Sequence, residues 1–295
     1  MAVKVILLVL FFAVMVGVGI SCRRHTTDVN GFVLGGRSVG PWLTAFAYGT
    51  SYFSAVIFIG YAGQFGWKFG VASTWIGLGN AFLGSLLAWV VLGRRTRLLT
   101  QKLGTATMPE FFGKRFSSPA LKVSAALIVF VFLIPYTASL YNGLSRLFSM
   151  AFSIDYGICI LVMALLTGIY VIAGGYMATA VNDFIQGIIM LFGIVAVIAA
   201  VLSLNGGFTG SIAALANVSD PETNIPGVFA SFFGPDPFGL FAVVILTSLG
   251  TWGLPQMVQK FYAIKNEKAI EKGTVISTLF AVVVAGGCYF LGGFG

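Results

Sequence analysis

Residues 41–63 read PWLTAFAYGTSYFSAVIFIGYAG, and this uncharged stretch is the most informative part of the chain for its fold. A helix needs about 20 mostly apolar residues to cross the hydrocarbon core of a bilayer. The stretch is long enough, but its centre, residues 49–55, combines a glycine with several hydroxyl-bearing residues. Such residues weaken a helix and can bond to the backbone groups that an interruption releases. The centre therefore indicates either an interrupted helix, whose carbonyl oxygens can coordinate a cation, or close packing through small residues.

Stretches of the same kind recur along the chain and predict an all-α polytopic membrane protein. Hydrophobic residues make up 58% of the sequence and charged residues 9%, with a mean hydropathy of +0.97, whereas a soluble domain carries about 25% charged residues. The apolar runs are continuous rather than alternating with period two, which favours helices over a β-barrel. The predicted spans cover residues 3–21, 41–63, 72–93, 123–144, 156–173, 182–203 and 237–256, and an eighth begins near residue 274.

The basic residues predict the orientation of these spans, because cytoplasmic loops carry an excess of Lys and Arg. Of the 17 Lys and Arg residues, Lys4, Lys68 and Arg146 lie in one set of segments between the spans. The other set holds Arg23, Arg24, Arg37, Arg94, Arg95, Arg97, Lys102, Lys114, Arg115, Lys122, Lys260, Lys265, Lys268 and Lys272. This distribution predicts a protein of the inner (plasma) membrane with its N-terminus outside. The charge of +8 is then a topology signal, and nucleic acid is not an expected partner.

The first span has a second interpretation, because a short apolar run after Met1 and Lys4 is also typical of a signal peptide. Arg23 and Arg24 follow the run, however, and the small residues of a cleavage site are poorly placed. These features favour a retained N-terminal helix.

The side chains that hydrolytic, redox or metal chemistry needs are scarce. The spacing of Cys22, Cys159 and Cys288 fits neither a metal site nor a redox pair, and the single histidine, His25, lies in a charged segment. The predicted spans lack clusters of His, Glu and Cys. We therefore expect neither an enzyme nor a metal centre built from these residues.

Asp183 is an acidic residue within the predicted span 182–203, where a carboxylate needs a partner, a cavity or a cation. The pair Gly174-Gly175 predicts a turn before it, and Gln186 comes after it on the same helix face. The position indicates either an aspartate that caps the helix start or an ion ligand.

A second small and polar segment lies inside the predicted span 237–256. Thr247, Ser248 and Thr251 stand among glycines there. Two interrupted segments in corresponding positions are a sequence pointer to the binding site of a transporter. Each of these residues is also typical of ordinary helix packing, so the composition alone leaves both interpretations open.

Several stretches resemble the sodium:solute symporter family, which includes proline, sugar, pantothenate and sialic acid symporters. They occur in the family's order and extend over nearly the whole chain. The matching residues are FVLGGRS at 32–38, Ser54-Ala55 with 58–60, Gly174-Gly175 with Asn182-Asp183 and Gln186, and Gly253 with 261–265. The resemblance implies a LeuT-type fold, in which two inverted five-helix repeats come after one extra N-terminal helix.

In that register, the extra transmembrane helix is 1–22, the first five-helix repeat is 41–205, the extracellular loop is 206–236, and the second repeat starts at 237–295. The first repeat is then complete and the second truncated. We therefore expect the chain to be the N-terminal portion of a longer protein.

The resemblance also implies sites for sodium and solute. The family's sodium site uses backbone carbonyls at Thr50 and Phe53, and its remaining ligands come from a later core helix. Asp183 aligns with an acidic residue that some members use for a further sodium ion or for coupling. The positions expected to contact the solute are Ser51, Tyr52, Ser54, Tyr136, Thr247 and Thr251.

The solute is not identified by these residues. Proline symporters carry an aspartate, a tryptophan and two aromatic residues at Tyr52, Val56, Thr247 and Thr251, and this chain keeps none of them. The absence of these four residues does not favour proline as the transported solute. The polar positions of sialic acid symporters fall near the apolar Ala72 and Ile76, which does not favour that solute either.

We therefore expect a sodium-coupled secondary active symporter that imports a small polar organic solute by alternating access. The expected partners are the solute, the co-transported sodium ion and the lipid bilayer. The alternative is the membrane solute-sensing module of a sensor kinase, since the family also supplies such modules. The segment after Gly295 distinguishes the two, because a sensor would continue into a soluble kinase region.

Overall fold

The computed structural model describes residues 2–26, 28–54, 56–221 and 224–295, and it is built mainly from helices. The α-helices are α1 (Ala2–Ser21), α2 (Val29–Leu34), α3 (Pro41–Tyr52), α4 (Ala62–Phe69), α5 (Thr74–Gly79), α6 (Arg94–Leu103), α7 (Met108–Arg115), α8 (Pro119–Phe152), α9 (Tyr156–Leu204), α10 (Phe208–Ala216), α11 (Pro237–Leu249), α12 (Pro255–Ala263), α13 (Glu267–Ala281) and α14 (Gly287–Gly292). Short π-helical segments lie at Val56–Tyr61, Asn80–Leu86, Trp89–Gly93 and Val282–Gly286. Extended pairing in the described part of the chain is limited to two isolated bridges, Val39–Ile264 and Ser219–Pro226.

Among the described residues, five helical runs are long and apolar enough to cross a membrane, judged by length and composition. They are Val3–Arg24, Ala62–Leu103, Pro119–Phe152, Tyr156–Leu204 and Glu267–Gly292, and α11 is a shorter apolar helix. The segments predicted from hydropathy fall largely within these runs and the two interrupted helices described below. The fold is therefore that of a multi-pass helical membrane protein.

The predicted spans 156–173 and 182–203 lie in one helical run, α9, which turns at Gly175. The backbone of Gly175 has φ 54° and ψ −148°, a conformation that is accessible essentially to glycine. The Gly174-Gly175 pair therefore marks the turn as predicted, and Asp183 lies in the helical part after it.

Two predicted spans are shorter than the helices that contain them. The helix α8 begins at Pro119, where the Ser118 side chain accepts a hydrogen bond from the Leu121 amide at 3.2 Å, and it continues to Phe152. The helix α13 begins at Glu267 rather than near residue 274, and the Asn266 side chain accepts from the Ala269 amide at 2.9 Å. Hydropathy marks the lipid-crossing part of a helix, whereas capping side chains determine where it starts.

The chain divides into two compact units. Unit 1 contains residues 1–48, 92–185 and 255–273, and unit 2 contains residues 49–91, 186–254 and 274–295. Unit 1 is centred on an apolar cluster formed by Leu34, Val39, Tyr176, Ala180, Val258, Tyr262 and Ala263. These residues come from α2, α9, α12 and the segment before α3, so the cluster fixes those elements against one another.

Unit 2 is held together by close contacts between small residues. A Cβ atom on Gly77 of α5 would lie 2.5 Å from the carbonyl oxygen of Ala285, and one on Gly293 would lie 2.7 Å from the carbonyl carbon of Gly70. These glycines let the backbones approach closely, which is how helices commonly associate in lipid. The Ser73 hydroxyl adds a hydrogen bond of 2.7 Å to the Tyr289 carbonyl.

Two arginines of unit 1, Arg37 and Arg97, form structural hydrogen bonds in addition to indicating the membrane topology. The Arg37 guanidinium donates to the carbonyls of Thr105 at 2.5 Å and Thr100 at 3.3 Å. The Arg97 guanidinium donates to the carbonyls of Ile264 at 2.5 Å and Lys265 at 3.1 Å. Thr105, Ile264 and Lys265 lie just beyond the C-terminal ends of α6 and α12, so the two arginines hold the segments that follow these helices. The interpretation of these residues as loop charges alone was incomplete.

The contacts of Glu110 at the start of α7 predict that the stability of the protein depends on pH. The Glu110 carboxylate accepts from the Ala106 amide at 2.8 Å and lies 3.3 Å from Lys114 Nζ. The Ala106 hydrogen bond and then Lys114 hold the pKa of Glu110 below its ordinary value. A lowered carboxyl pKa stabilises the fold at pH values above the ordinary pKa, and this contribution is lost as the pH falls through the lowered value.

We therefore expect Glu110→Gln to lower the stability at pH 7 by roughly 1 kcal/mol or less. The difference from the wild type should shrink as the pH is lowered towards 3. Thermal unfolding in detergent across this pH range measures the effect, and Glu271→Gln, at an exposed carboxylate on α13, is the control. A difference that grows on acidification would contradict this assignment.

Candidate solute and cation sites

The first predicted interruption is present in the structure. The helix α3 ends at Tyr52, residues 53 and 54 leave the helix, and a π-helical segment runs from Val56 to Tyr61. The Ser54 carbonyl starts the new segment by accepting from the amides of Ile57 at 3.0 Å and Phe58 at 2.9 Å. The hydroxyl-rich centre of this stretch is therefore a break in the helix rather than only a packing surface.

The second predicted interruption is also present. The helix α11 ends at Leu249, residues 250–254 form turns, and α12 begins at Pro255. Proline cannot donate the amide hydrogen bond that a continuing helix would need, which is consistent with a new start at this residue. Thr247 and Ser248 lie in the last turn of α11, and Thr251 lies in the turn after it.

The two interruptions meet in a polar cluster within unit 2, which we call the Asn80 cluster: Tyr52, Asn80, Thr247, Ser248 and Thr251. The Asn80 side-chain oxygen lies 2.9 Å from the Thr247 hydroxyl, 3.2 Å from the Ser248 hydroxyl and 3.3 Å from the Tyr52 hydroxyl, and it can accept a hydrogen bond from each of them. The Tyr52 hydroxyl also lies 2.9 Å from the Thr247 carbonyl, to which it can donate. The Thr251 hydroxyl donates to the Ser248 carbonyl at 3.1 Å.

The Asn80 cluster is uncharged and retains one unsatisfied donor. Asn80 and Ser248 are fully buried, and Tyr52 is 3% exposed. The Asn80 side-chain nitrogen and the nearby Tyr289 hydroxyl are both buried, and neither has a partner in hydrogen-bond geometry among the described residues. A buried donor without a partner costs free energy, so this nitrogen can readily bond to a solute oxygen or to water. The cluster can therefore recognise hydroxyl, carbonyl or amide groups.

The expected solute residues are divided between the two units. Ser51, Tyr52, Ser54, Thr247 and Thr251 belong to unit 2, and the structure brings three of them, Tyr52, Thr247 and Thr251, into the Asn80 cluster. Tyr136 belongs to unit 1 and is half-buried on α8, where its carbonyl accepts from the Ser139 hydroxyl at 2.7 Å.

The expected sodium residues are divided in the same way. Thr50 lies in the last turn of α3, and Phe53 comes directly after that helix with its amide bonded to the Gly49 carbonyl at 2.8 Å. Both belong to unit 2, whereas Asp183 belongs to unit 1. Thr50 and Phe53 thus occupy the C-terminal end of a helix, where carbonyl groups and the negative end of the helix dipole favour a cation.

Asp183 lies beside an internal cation. Its side chain is 22% exposed, and its carboxylate lies 3.6 Å from the ammonium of Lys260, whose side chain is 8% exposed. Lys260 also lies 5.2 Å from the centre of the Tyr176 ring. The prediction that Lys260 is a loop charge is wrong, because this residue lies in α12 and is buried.

Sequence reasoning missed Asn80 and the role of Lys260. Asn80 is an amide inside the uncharged span 72–93, and a polar side chain within a predicted span is a signal that could have identified it. Lys260 lies only five residues beyond Pro255 in a segment of mixed polarity, so hydropathy alone places it outside the bilayer. Pairing it with Asp183 requires knowledge of the fold.

Comparison with known proteins places the chain in a family. The sequence signature of the sodium:solute symporter family matches residues 32–295. A sodium/proline symporter of Staphylococcus aureus is 31% identical over 271 residues, which cover 90% of this chain and 51% of that protein. The same protein from strain JH9 is 31% identical over 272 residues, with the same coverage.

A solved structure has the same fold. It shows the substrate-bound outward-open state of a Na⁺-coupled sialic acid symporter and superposes with a TM-score of 0.76 at 17% identity, covering 96% of this chain and 58% of that one. The expected LeuT-type helical fold is thereby confirmed.

The chain belongs to the sodium:solute symporter family, a family of transporters rather than enzymes, as the sequence predicts. It spans about half the length of the curated relatives it matches, since 51% of each is covered. The completeness of the two repeats and the boundaries 1–22, 41–205, 206–236 and 237–295 remain predictions.

The geometry of the Asn80 cluster generates a stability prediction. Asn80→Leu removes the acceptor that faces the buried hydroxyls of Tyr52 and Ser248 and the half-buried hydroxyl of Thr247, so we expect a loss of roughly 1–3 kcal/mol. Ser85→Ala is the matched control, because Ser85 lies in the same π-helical segment and shares a single buried hydrogen bond of 2.8 Å with Ser277. Its loss should be smaller, at about 1 kcal/mol. Thermal unfolding in detergent compares the two, and an Asn80→Leu protein as stable as the wild type would refute the central role of this amide.

Proposed function

We propose that this chain forms part of a sodium-coupled secondary active symporter that imports a small polar organic solute. The observation that carries the proposal is the Asn80 cluster, in which residues at two helix interruptions share one buried amide. Paired interrupted helices with polar groups at mid-membrane are typical of the binding sites of secondary transporters. Membership of the sodium:solute symporter family supports the same function.

The proposed solute is neutral or internally charge-balanced and rich in hydrogen-bonding groups. Asn80, Tyr52 and the hydroxyls of α11 offer donors and acceptors without a net charge. Ser51, Ser54 and Tyr136 are the further proposed contacts. The resemblance implies an aspartate, a tryptophan and two aromatic residues in proline symporters at the positions of Tyr52, Val56, Thr247 and Thr251. This chain keeps none of them, so we do not propose proline as the preferred solute.

The proposed sodium ligands are the backbone carbonyls of Thr50 and Phe53, with Asp183 serving a further sodium ion or the coupling. Sodium is a hard cation that prefers oxygen ligands, and an interrupted helix end offers carbonyl oxygens without any charged side chain. A bound cation there would also fix the conformation of the break, which includes Tyr52 of the solute site. Sodium and solute would then raise each other's affinity by the same factor, as thermodynamic linkage requires.

The sodium gradient and the membrane potential would drive uptake. One charge that crosses 100 mV releases about 2.3 kcal/mol. Rocking of one helical bundle against its scaffold would expose the site alternately to each side. We also propose the inner (plasma) membrane as the location, with the N-terminus outside, because the basic residues are concentrated in the segments assigned to the cytoplasm.

The alternative function is a solute-sensing module of a sensor kinase. The relatives reported above are described as symporters, which favours transport. A sensor would bind solute without accumulating it against a gradient.

The sodium dependence of solute binding tests the proposal. A panel of neutral sugars, polyols, amides and zwitterionic amino acids should yield at least one ligand that the full-length gene product binds more tightly in NaCl than in choline chloride. Coupling energies between transporter ligands correspond to about 5–150-fold changes in affinity. Equilibrium binding to the purified protein measures the ratio, and equal affinities in the two salts would exclude sodium coupling.

The role of Asp183 is tested by Asp183→Asn in the same assay. If Asp183 serves a sodium ion, the sodium concentration that half-saturates the effect should rise several-fold. Asp155→Asn is the control, because Asp155 precedes α9 and its carboxylate accepts from the Gly157 amide at 2.8 Å, a bond that asparagine can also make. An unchanged sodium dependence in Asp183→Asn would remove this residue from the ion site.

A further inference from the structure

Lys260 is a buried ammonium inside unit 1 that the proposed transport mechanism does not yet use. The residue is 6% exposed on α12, next to the apolar cluster of that unit. Removing an ammonium from water costs several kcal/mol unless a partner compensates its charge. Its position therefore depends on the groups that face it.

Two residues of α9 supply that compensation. Tyr176 comes directly after the turn at Gly175, and Asp183 lies seven residues further along the helix. At 3.6 residues per turn, this spacing places the two side chains on the same helix face. The ammonium thus lies 3.6 Å from a carboxylate oxygen and 5.2 Å from the centre of an aromatic ring.

The contact depends on charge more than on hydrogen-bond geometry. A separation of 3.6 Å exceeds the 2.7–3.2 Å range of good N–H···O hydrogen bonds, so the pairing between Lys260 and Asp183 is chiefly coulombic. Another monovalent cation can satisfy the same carboxylate. A single carboxylate does not compensate two cations at once, because the second would meet the repulsion of the first.

We propose that Lys260 is a tethered cation that competes with sodium for Asp183 and thereby sets the sodium affinity at this carboxylate. In the sodium-free protein, the ammonium neutralises Asp183, so that the departure of sodium does not leave this partly buried carboxylate uncompensated. When sodium arrives, the ammonium moves away from the carboxylate on its flexible stem. This inference rests on the proposed role of Asp183 in sodium binding.

The test measures sodium binding directly through thermal unfolding of the full-length gene product in detergent. The shift of the unfolding midpoint is recorded against NaCl concentration, with choline chloride keeping the ionic strength constant. Lys260→Met removes the competing charge, and the sodium concentration for half the shift should fall by about tenfold. Lys260→Arg keeps the charge and should stay close to the wild type.

Two controls assign the effect to this pair. The double variant Asp183→Asn with Lys260→Met should lose the gain in sodium affinity, because the carboxylate is gone. Lys268→Met removes an ammonium from an exposed position on α13 and should change nothing.

Each outcome decides the question. A Lys260→Met protein that folds only in sodium supports the proposal, because sodium then takes the place of the ammonium. An unchanged or weaker sodium affinity in Lys260→Met overturns it, as does a variant that fails to fold in either salt. The unfolding assay contains no solute, so its result does not depend on solute binding. If sodium fails to increase solute binding by the wild type, that separate result refutes the proposed function.

Discussion

A backbone polar group in the membrane must find its partner inside the protein, and the rest of this structure depends on that constraint. Two helices are interrupted, after Tyr52 and after Leu249, and each interruption releases groups that a continuous helix would have satisfied. Side chains satisfy some of these groups. In unit 2, the Tyr52 hydroxyl reaches the Thr247 carbonyl, and Asn80 gathers the neighbouring hydroxyls.

In the proposed function, the same residues serve both structure and binding. Side chains that stabilise a break would also offer the solute hydrogen-bonding groups that are already oriented. The unsatisfied Asn80 nitrogen shows that the compensation is incomplete. Unit 1 differs because it also holds a buried charged side chain, that of Lys260, beside the partly buried Asp183. Lys260, Asp183 and Tyr176 form a compact set in which one cation and one anion compensate each other.

The sequence predicts the helical membrane fold because about 20 apolar residues per span have no other stable solvent. It also predicts the turn at Gly175 from the Gly174-Gly175 pair. For both interruptions it offers an interrupted helix and small-residue packing as alternatives, because glycines and clustered hydroxyls are typical of each. The helices α8 and α13 begin before the predicted spans, because hydropathy does not detect the N-terminal caps supplied by Ser118 and Asn266. Three of the expected solute residues do meet in one cluster, but their shared partner was not identified.

The sequence analysis missed two important residues for the same reason. Asn80 and Lys260 act through partners that are distant in sequence, at Thr247 and Asp183 respectively. No local pattern reports such a pairing, and only the folded chain brings the groups together. A lysine near a predicted span end therefore indicated topology from the sequence and a buried ion pair in the structure.

The central claim is that a sodium gradient drives the solute across the membrane. The most direct measurement is uptake of a bound solute into proteoliposomes that contain the full-length gene product, with sodium outside and potassium inside. The account predicts that the internal solute concentration rises above the external one and that the accumulated solute leaves again when the sodium gradient is collapsed. Solute that only equilibrates across the membrane, with or without the gradient, would contradict it.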